Sequence, residues 1–200
     1  MGCVLIFATS VYAHKIEPNW FEVTNIDVNL PKLDRAFNGY RIVQITDLHA
    51  GDGIDRHQLE NVIKAVNAQN PDLVVITGDH VSRMPRQHIE LLDILAKLHP
   101  RDGTLSVLGN HDVYNDPAPI RTAIKQAGIT LLENTVYTIK RDLATLHIAG
   151  VGDVFAQQAK LDQVLAQLPS TGAAIMLAHE PDFADETAAA ERLAATGKFE

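Results

Sequence analysis

A single cysteine, Cys3, among 200 residues means that no intrachain disulfide can staple the fold and no thiolate cluster can bind a metal. Positive charge is also scarce. With 17 Lys and Arg against 25 Asp and Glu, the formal net charge is −8, a field that opposes nucleic acids and other polyanions. No basic stripe or tract of arginines and aromatics offsets it, so no nucleic-acid-binding surface is expected. Glycine-rich phosphate loops of the form GxGxxG or GxxxxGK[ST] are missing, and "GDGIDRH" is too acidic to cradle phosphate unaided. Any phosphate substrate therefore needs a local positive source, and a metal ion is one.

Long apolar runs are lacking as well. The opening "MGCVLIFATSVYA" is about a dozen residues, short of the roughly 20 that a membrane-spanning helix needs. It has no basic lead of a signal peptide, and Ile6 stands where a myristoylation motif wants Ser or Thr. Residues 1–13 read as the remnant of a membrane anchor or as a first buried element. The polar "HKIEPNW" that follows, with Trp20 as the interfacial aromatic, favours the anchor. The rest is ordinary: 46% hydrophobic and 21% charged residues fit one globular domain with a sizeable core.

From Tyr40 onward, strand-like and helix-like runs alternate. "YRIVQIT" is apolar and β-branched, and Leu59, Val62, Ile63 and Val66 then line one face of a helix. "DLVVIT" predicts a second strand after Pro71. Leu91, Leu92, Leu95 and Leu98 predict a second helix closed by Pro100, and "TLSVL" a third strand. Asp116 as N-cap, Pro117 in the first turn and Gly128 past the end bound a third helix, with Ile120, Ala123, Ile124 and Ala127 inside. Then "ITLL", "VYTI" and "TLHIAGV" follow without a helical interval, which predicts antiparallel pairing. A helix over residues 157–168 leads to "AAIMLA", and an Ala-rich helix is expected from near Asp185. The fold class is α/β: two sheets packed between helices, with residues 1–39 as lead-in and 40–200 as the domain.

The apolar runs end alike. "RIVQIT" runs into Asp47 and His49, "LVVIT" into Asp79, "LSVL" into Asn110, His111 and Asp112, and "AIMLA" into His179. Ligands of open α/β sheets gather at the carboxyl ends of the strands, so four strand ends would deliver oxygen and imidazole donors to one crevice. Asp47 and His49 are two apart and would point to one side of an extended backbone. Carboxylates, imidazoles and a carboxamide suit zinc, manganese or iron. Two such ions ~3.5–4 Å apart, bridged by a carboxylate such as Asp79, can clamp both oxygens of a phosphoryl transfer. His14, His57, His88, His99 and His147 sit in polar, helix-end or strand settings and read as structural. His80, next to Asp79, is left outside the site.

"DLH", "GD", "GNHD" and a later lone His, in this order over about residues 41–182, resemble the calcineurin-like metallophosphoesterase superfamily. "RIVQITDLHAG", "PDLVVITGD", "SVLGNHD", "IAGVGD" and "LAHEPDF" are similar to its bacterial membrane-associated branch. The resemblance implies a β-sheet sandwich flanked by helices and two divalent ions (Mn, Zn or Fe). It places Asp47 and His49 on the first ion, Asp79 as the bridge, and Asn110 with His179 on the second. It further implies attack on phosphorus by a metal-bridging hydroxide, His111 acting on the leaving oxygen, and Asp112 orienting His111. The substrate would be a phosphodiester or pyrophosphate, lipid-linked forms included, near the bacterial inner membrane or in the cytoplasm.

Three departures bear on that picture. Ser82 stands where the purple acid phosphatase branch has a tyrosine ligand, so no tyrosinate site is expected. Arg83 occupies the place of a phosphate-contacting arginine of the protein-phosphatase branch and is a substrate-binding candidate or a plain surface residue. The family's terminal GHxH has no counterpart, because no histidine follows His179 before Glu200. The expectation is a chain short of its last strands, holding metal weakly and turning over poorly; the competing reading is a metal-binding module without catalysis.

Overall fold

The computed structural model describes residues 6, 7, 9, 10, 12, 20–30, 32–52, 54–82 and 86–185. Four strands, β1 (Ile42–Ile45), β2 (Leu73–Thr77), β3 (Thr104–Val107) and β4 (Thr130–Leu131), form one sheet in sequence order, every neighbour parallel. All of β2 and β3 is buried, which is why both read as continuous apolar runs rather than alternating ones. A second sheet holds β5 (Thr135–Arg141), β6 (Ala144–Gly150) and β7 (Ala173–Leu177). β5 and β6 form the expected antiparallel pair, and β7 runs parallel to β6. "ITLL" departs from expectation: its strand, β4, joins the parallel sheet beside β3.

Helix α1 (Arg56–Ala68) follows β1. Asp55 caps it reciprocally, its carboxylate accepting from the Gln58 N–H at 2.9 Å while the Gln58 side chain accepts from the Asp55 N–H at 3.0 Å. The single helix expected around residues 91–98 is instead a short α2 (Arg86–Glu90) running into a 3₁₀ stretch, Leu91–Lys97. Leu92, Ile94 and Leu95 bury together there, and the three-residue step from Leu92 to Leu95 matches a 3₁₀ turn. After the short α3 (Asn110–Val113), α4 (Ala118–Gln126) starts from Pro117 as N-cap. Asp116 therefore acts one position earlier than expected, accepting from the Ala118 N–H at 3.0 Å. Helix α5 (Leu161–Gln167) links β6 to β7.

The period-two alternation of β2 divides the core. Leu73 and Val75 join Leu105, Val107, Leu146, Ile148 and Leu177 between the sheets, whereas Val74 and Ile76 face Leu59, Ile63, Leu92, Leu95, Ile120 and Ile124 on the helical side. A third cluster, with Ala149, Val151, Leu161 and Val164, covers the outer face of the second sheet. The layers are helix, sheet, sheet, helix. Each of these fully buried aliphatic side chains contributes roughly 1.5–3 kcal/mol. Phe37, ahead of the expected start at Tyr40, is 1% exposed and packs between the sheets.

Arg83, the bulk of residues 1–13 and the Ala-rich segment past α6 (Asp182–Asp185) lie outside the described residues. Among those described, no helix is long and apolar enough to cross a membrane.

Candidate metal centre

The pairing of β1 with β2 does not stop where the strands do. The Asp47 N–H donates to the Gly78 carbonyl at 3.1 Å, His49 N–H to the Asp79 carbonyl at 3.0 Å, and Ala50 N–H to the His80 carbonyl at 2.9 Å. This running ladder sets the two ligand-bearing loops side by side. Asp47, His49 and Asp79 hold φ near +50°, in the left-handed region that side-chain-bearing residues seldom occupy. The extended backbone expected for Asp47–Leu48–His49 is therefore not found. The left-handed turns still bring both side chains together, with His49 Nε2 3.6 Å from Asp47 Oδ1.

Asp79, 3% exposed, lies between two imidazoles: its Oδ2 is 3.5 Å from His49 Nε2 and its Oδ1 3.5 Å from His179 Nε2. The same His179 nitrogen is 3.2 Å from the Asn110 carboxamide oxygen. Ligating atoms of Asp47, Asp79 and His179 fall within 4.8 Å of one another. All five candidate ligands thus converge. The space is made by glycines. A Cβ on Gly78, already at φ +98°, would come within 2.6 Å of the His179 ring, and one on Gly109 would overlap Asp79 Oδ1 and lie 2.7 Å from Asp79 N.

Each imidazole is fixed from behind. The His179 Nδ1–H donates to the Thr77 carbonyl at 2.8 Å, and the His111 Nδ1–H to the Ser82 carbonyl at 3.0 Å. A carbonyl can only accept, so both rings carry a proton on Nδ1, and Nε2 is the nitrogen left for a ligand or a second proton. His49 Nδ1 meets the Ser82 hydroxyl at 2.8 Å, and the His49 and His111 rings stand edge to face at 5.0 Å.

Electrostatics follow the geometry. Burial pushes the Asp79 carboxyl up, but hydrogen bonds from His179 and the His111 N–H, with the charge of both rings, leave it below the ordinary carboxylate range. The Asp79 contact raises His179 to about 9 against the opposing effect of burial. With metal absent, His179 therefore holds a proton that a cation must displace.

Asp112 is placed differently from expectation. It does not contact His111: wholly buried, its carboxylate accepts from His80 N–H at 2.9 Å, Gly109 N–H at 3.0 Å and His80 Nδ1 at 2.8 Å. His80 Nε2 in turn meets Ser106 Oγ at 2.9 Å. The helical turn at Asn110–Val113 directs Asp112 inward while the neighbouring His111 faces out, so the two cannot pair. The Asp112–His80–Ser106 chain clamps the β2 loop to the β3 loop from beneath. It is inaccessible to substrate, and Ser106 cannot act as a nucleophile there.

A second acidic pair escaped the sequence reading. Asp153, just past β6, and Glu180, beside His179, are 1% and 8% exposed, and Asp153 Oδ2 and Glu180 Oε2 have no hydrogen-bond partner among the described residues. Burial and contact with Glu180 raise Asp153 to about 6. Asp153 had the same signal as the ligands, an acid just past an apolar run, in "IAGVGD".

The donor set of two carboxylates, two imidazole Nε2 atoms and a carboxamide oxygen fits divalent zinc, manganese or iron. Residues 40–147 match the family model described as calcineurin-like phosphoesterase. The chain is 30% identical over 180 residues to the uncharacterized metallophosphoesterase YkuE of Bacillus subtilis, covering 88% of this chain and 63% of that protein. It is 28% identical over 220 residues to the UDP-2,3-diacylglucosamine pyrophosphatase LpxG of Chlamydia trachomatis, covering 87% and 67%. Against the phosphodiesterase YaeI of Escherichia coli it is 30% identical over 181 residues, covering 86% and 63%. The chain thus spans about two thirds of the length of these relatives. With motif order, strand-end geometry and family match in agreement, the chain belongs to the calcineurin-like phosphoesterase family.

Proposed function

We propose that this protein hydrolyses phosphodiester or pyrophosphate bonds at a centre for two divalent ions. Asp47, His49 and Asp79 would hold one ion; Asp79, Asn110 and His179 the other. The observation that carries this reading is Asp79 itself, whose two oxygens face two different histidines, each at 3.5 Å. A carboxylate serving one ion has no need of that arrangement.

When bound, the ions supply a positive locus for phosphate in a chain of charge −8 and a nucleophile usable at neutral pH. The protein does the rest. Left-handed turns at Asp47, His49 and Asp79 hold the donors before any ligand arrives, which spares reorganisation on binding. The exposed His111, its Nδ1–H tied to the Ser82 carbonyl, turns Nε2 to the leaving oxygen, and in its imidazolium form passes the Nε2 proton to that oxygen and is left neutral with the proton on Nδ1. Asp112 serves by locking the two loops, not by orienting His111. Arg83 remains a proposed phosphate contact. A diester or pyrophosphate substrate, lipid-linked or not, accords with the names of LpxG and YaeI.

The test is hydrolysis of bis-(p-nitrophenyl) phosphate with added manganese. Wild type should cleave, chelation should abolish cleavage, and Asp79→Asn should be inactive. Cleavage that survives chelation, or an active Asp79→Asn protein, would overturn the proposal.

A further inference from the structure

Ser82 touches two histidines of the centre through two different atoms. Its hydroxyl lies 2.8 Å from His49 Nδ1, and its carbonyl accepts from His111 Nδ1 at 3.0 Å. The residue before it is anchored twice: Val81 bridges Ala50 in parallel register, and the Val81 N–H reaches Asp112 Oδ1 at 3.4 Å. Its position is thus fixed by the same clamp that joins the ligand loops.

We infer that Ser82 is a positioning residue with divided duties: its hydroxyl aims His49 at the metal, and its backbone carbonyl independently aims His111 at the leaving group. The inference rests on the metal-centre reading of His49. A ring nitrogen that binds a cation leaves the opposite N–H needing an acceptor, and a hydroxyl oxygen supplies one while fixing the rotation of the ring. Without it, His49 can turn about its side-chain bonds, because its other polar and ring contacts among the described residues are the Asp47 and Asp79 carboxylates at 3.5–3.6 Å and the edge of His111. His111 should not respond to the side chain at residue 82, since a main-chain oxygen holds it.

The two duties separate by substitution. Manganese titration calorimetry on wild type, Ser82→Ala, Ser82→Val and Ser82→Thr isolates the hydroxyl, because Val and Thr share a shape and differ in that group. Loss of a group that supports a metal ligand typically weakens binding about 10–100-fold. Ser82→Ala and Ser82→Val should show that loss, and Ser82→Thr should bind as wild type. Combining Ser82→Ala with His49→Ala should weaken binding no further than His49→Ala alone, because the hydroxyl acts through that ring. Nitrogen-15 spectra should place the His111 proton on Nδ1 in every variant.

Wild-type affinity in Ser82→Val, or additive losses in the double variant, would overturn the role of the hydroxyl. A His111 tautomer that changes in Ser82→Ala would overturn the division of duties. If Ser82→Ala does not fold, the Val–Thr pair decides alone. The metal-centre reading fails separately: in that case wild type binds no manganese, or His49→Ala binds it undiminished.

Discussion

His111→Gln should lower kcat about 10²–10⁴-fold, the usual worth of a positioned acid, while manganese stoichiometry stays as in wild type. Equal loss of metal would instead make His111 a ligand. Asp153 offers a pH test on the metal-free protein. Its folded-state value of about 6 lies above the ordinary 3.8, so the folded state binds more protons between those values, and stability falls as pH rises through that window. Above about pH 6 the buried charge beside Glu180 costs at most about 3 kcal/mol. Asp153→Asn removes that cost: thermal melts should show a higher midpoint at neutral pH and a flatter profile from pH 4 to 6. A lower midpoint at neutral pH would mean that the carboxylate is favourably held. These residues also mark what the sequence conceals. Donor types at strand ends were legible because every ligand follows an apolar run. The partner of Asp112 was not, since a single helical turn at Asn110–Val113 sends consecutive side chains to opposite sides.

At the scale of elements, the centre depends on two loops lying flush. Asp112 joins them, and Asp112→Ala would strand the N–H groups of His80 and Gly109 in a dry interior. A loss of about 3–5 kcal/mol is expected, read by urea unfolding. A loss under about 1 kcal/mol would mean that water or a rearranged loop replaces the carboxylate. The parallel strands were legible because buried strands read as solid apolar runs. Two elements were not. "ITLL" is too short for periodicity to decide its partner, and it pairs with β3 because the chain emerges from α4 beside that strand. The 91–98 segment carries leucines at spacings that serve either an α or a 3₁₀ turn, and Pro100 disfavours a helical continuation through the residues before it.

Across the whole molecule, charge and chemistry oppose each other. A chain of net charge −8 repels an anionic phosphoester at long range, so KM for such a substrate should fall as ionic strength rises and screens the repulsion. A KM that climbs with salt would point to a local basic funnel. Layering meets the positional need: helices cover one face of each sheet, the other faces pack together, and the loops that follow β1, β2, β3 and β7 bring their side chains to one crevice. The most direct measurement is manganese stoichiometry by calorimetry for wild type, His49→Ala, His179→Ala and Asp79→Ala. A shared bridging carboxylate predicts two ions in wild type, held weakly because each has only three protein ligands, one in each histidine variant and none in Asp79→Ala. Two sites surviving in Asp79→Ala with wild-type affinity would contradict the bridge, and with it the centre.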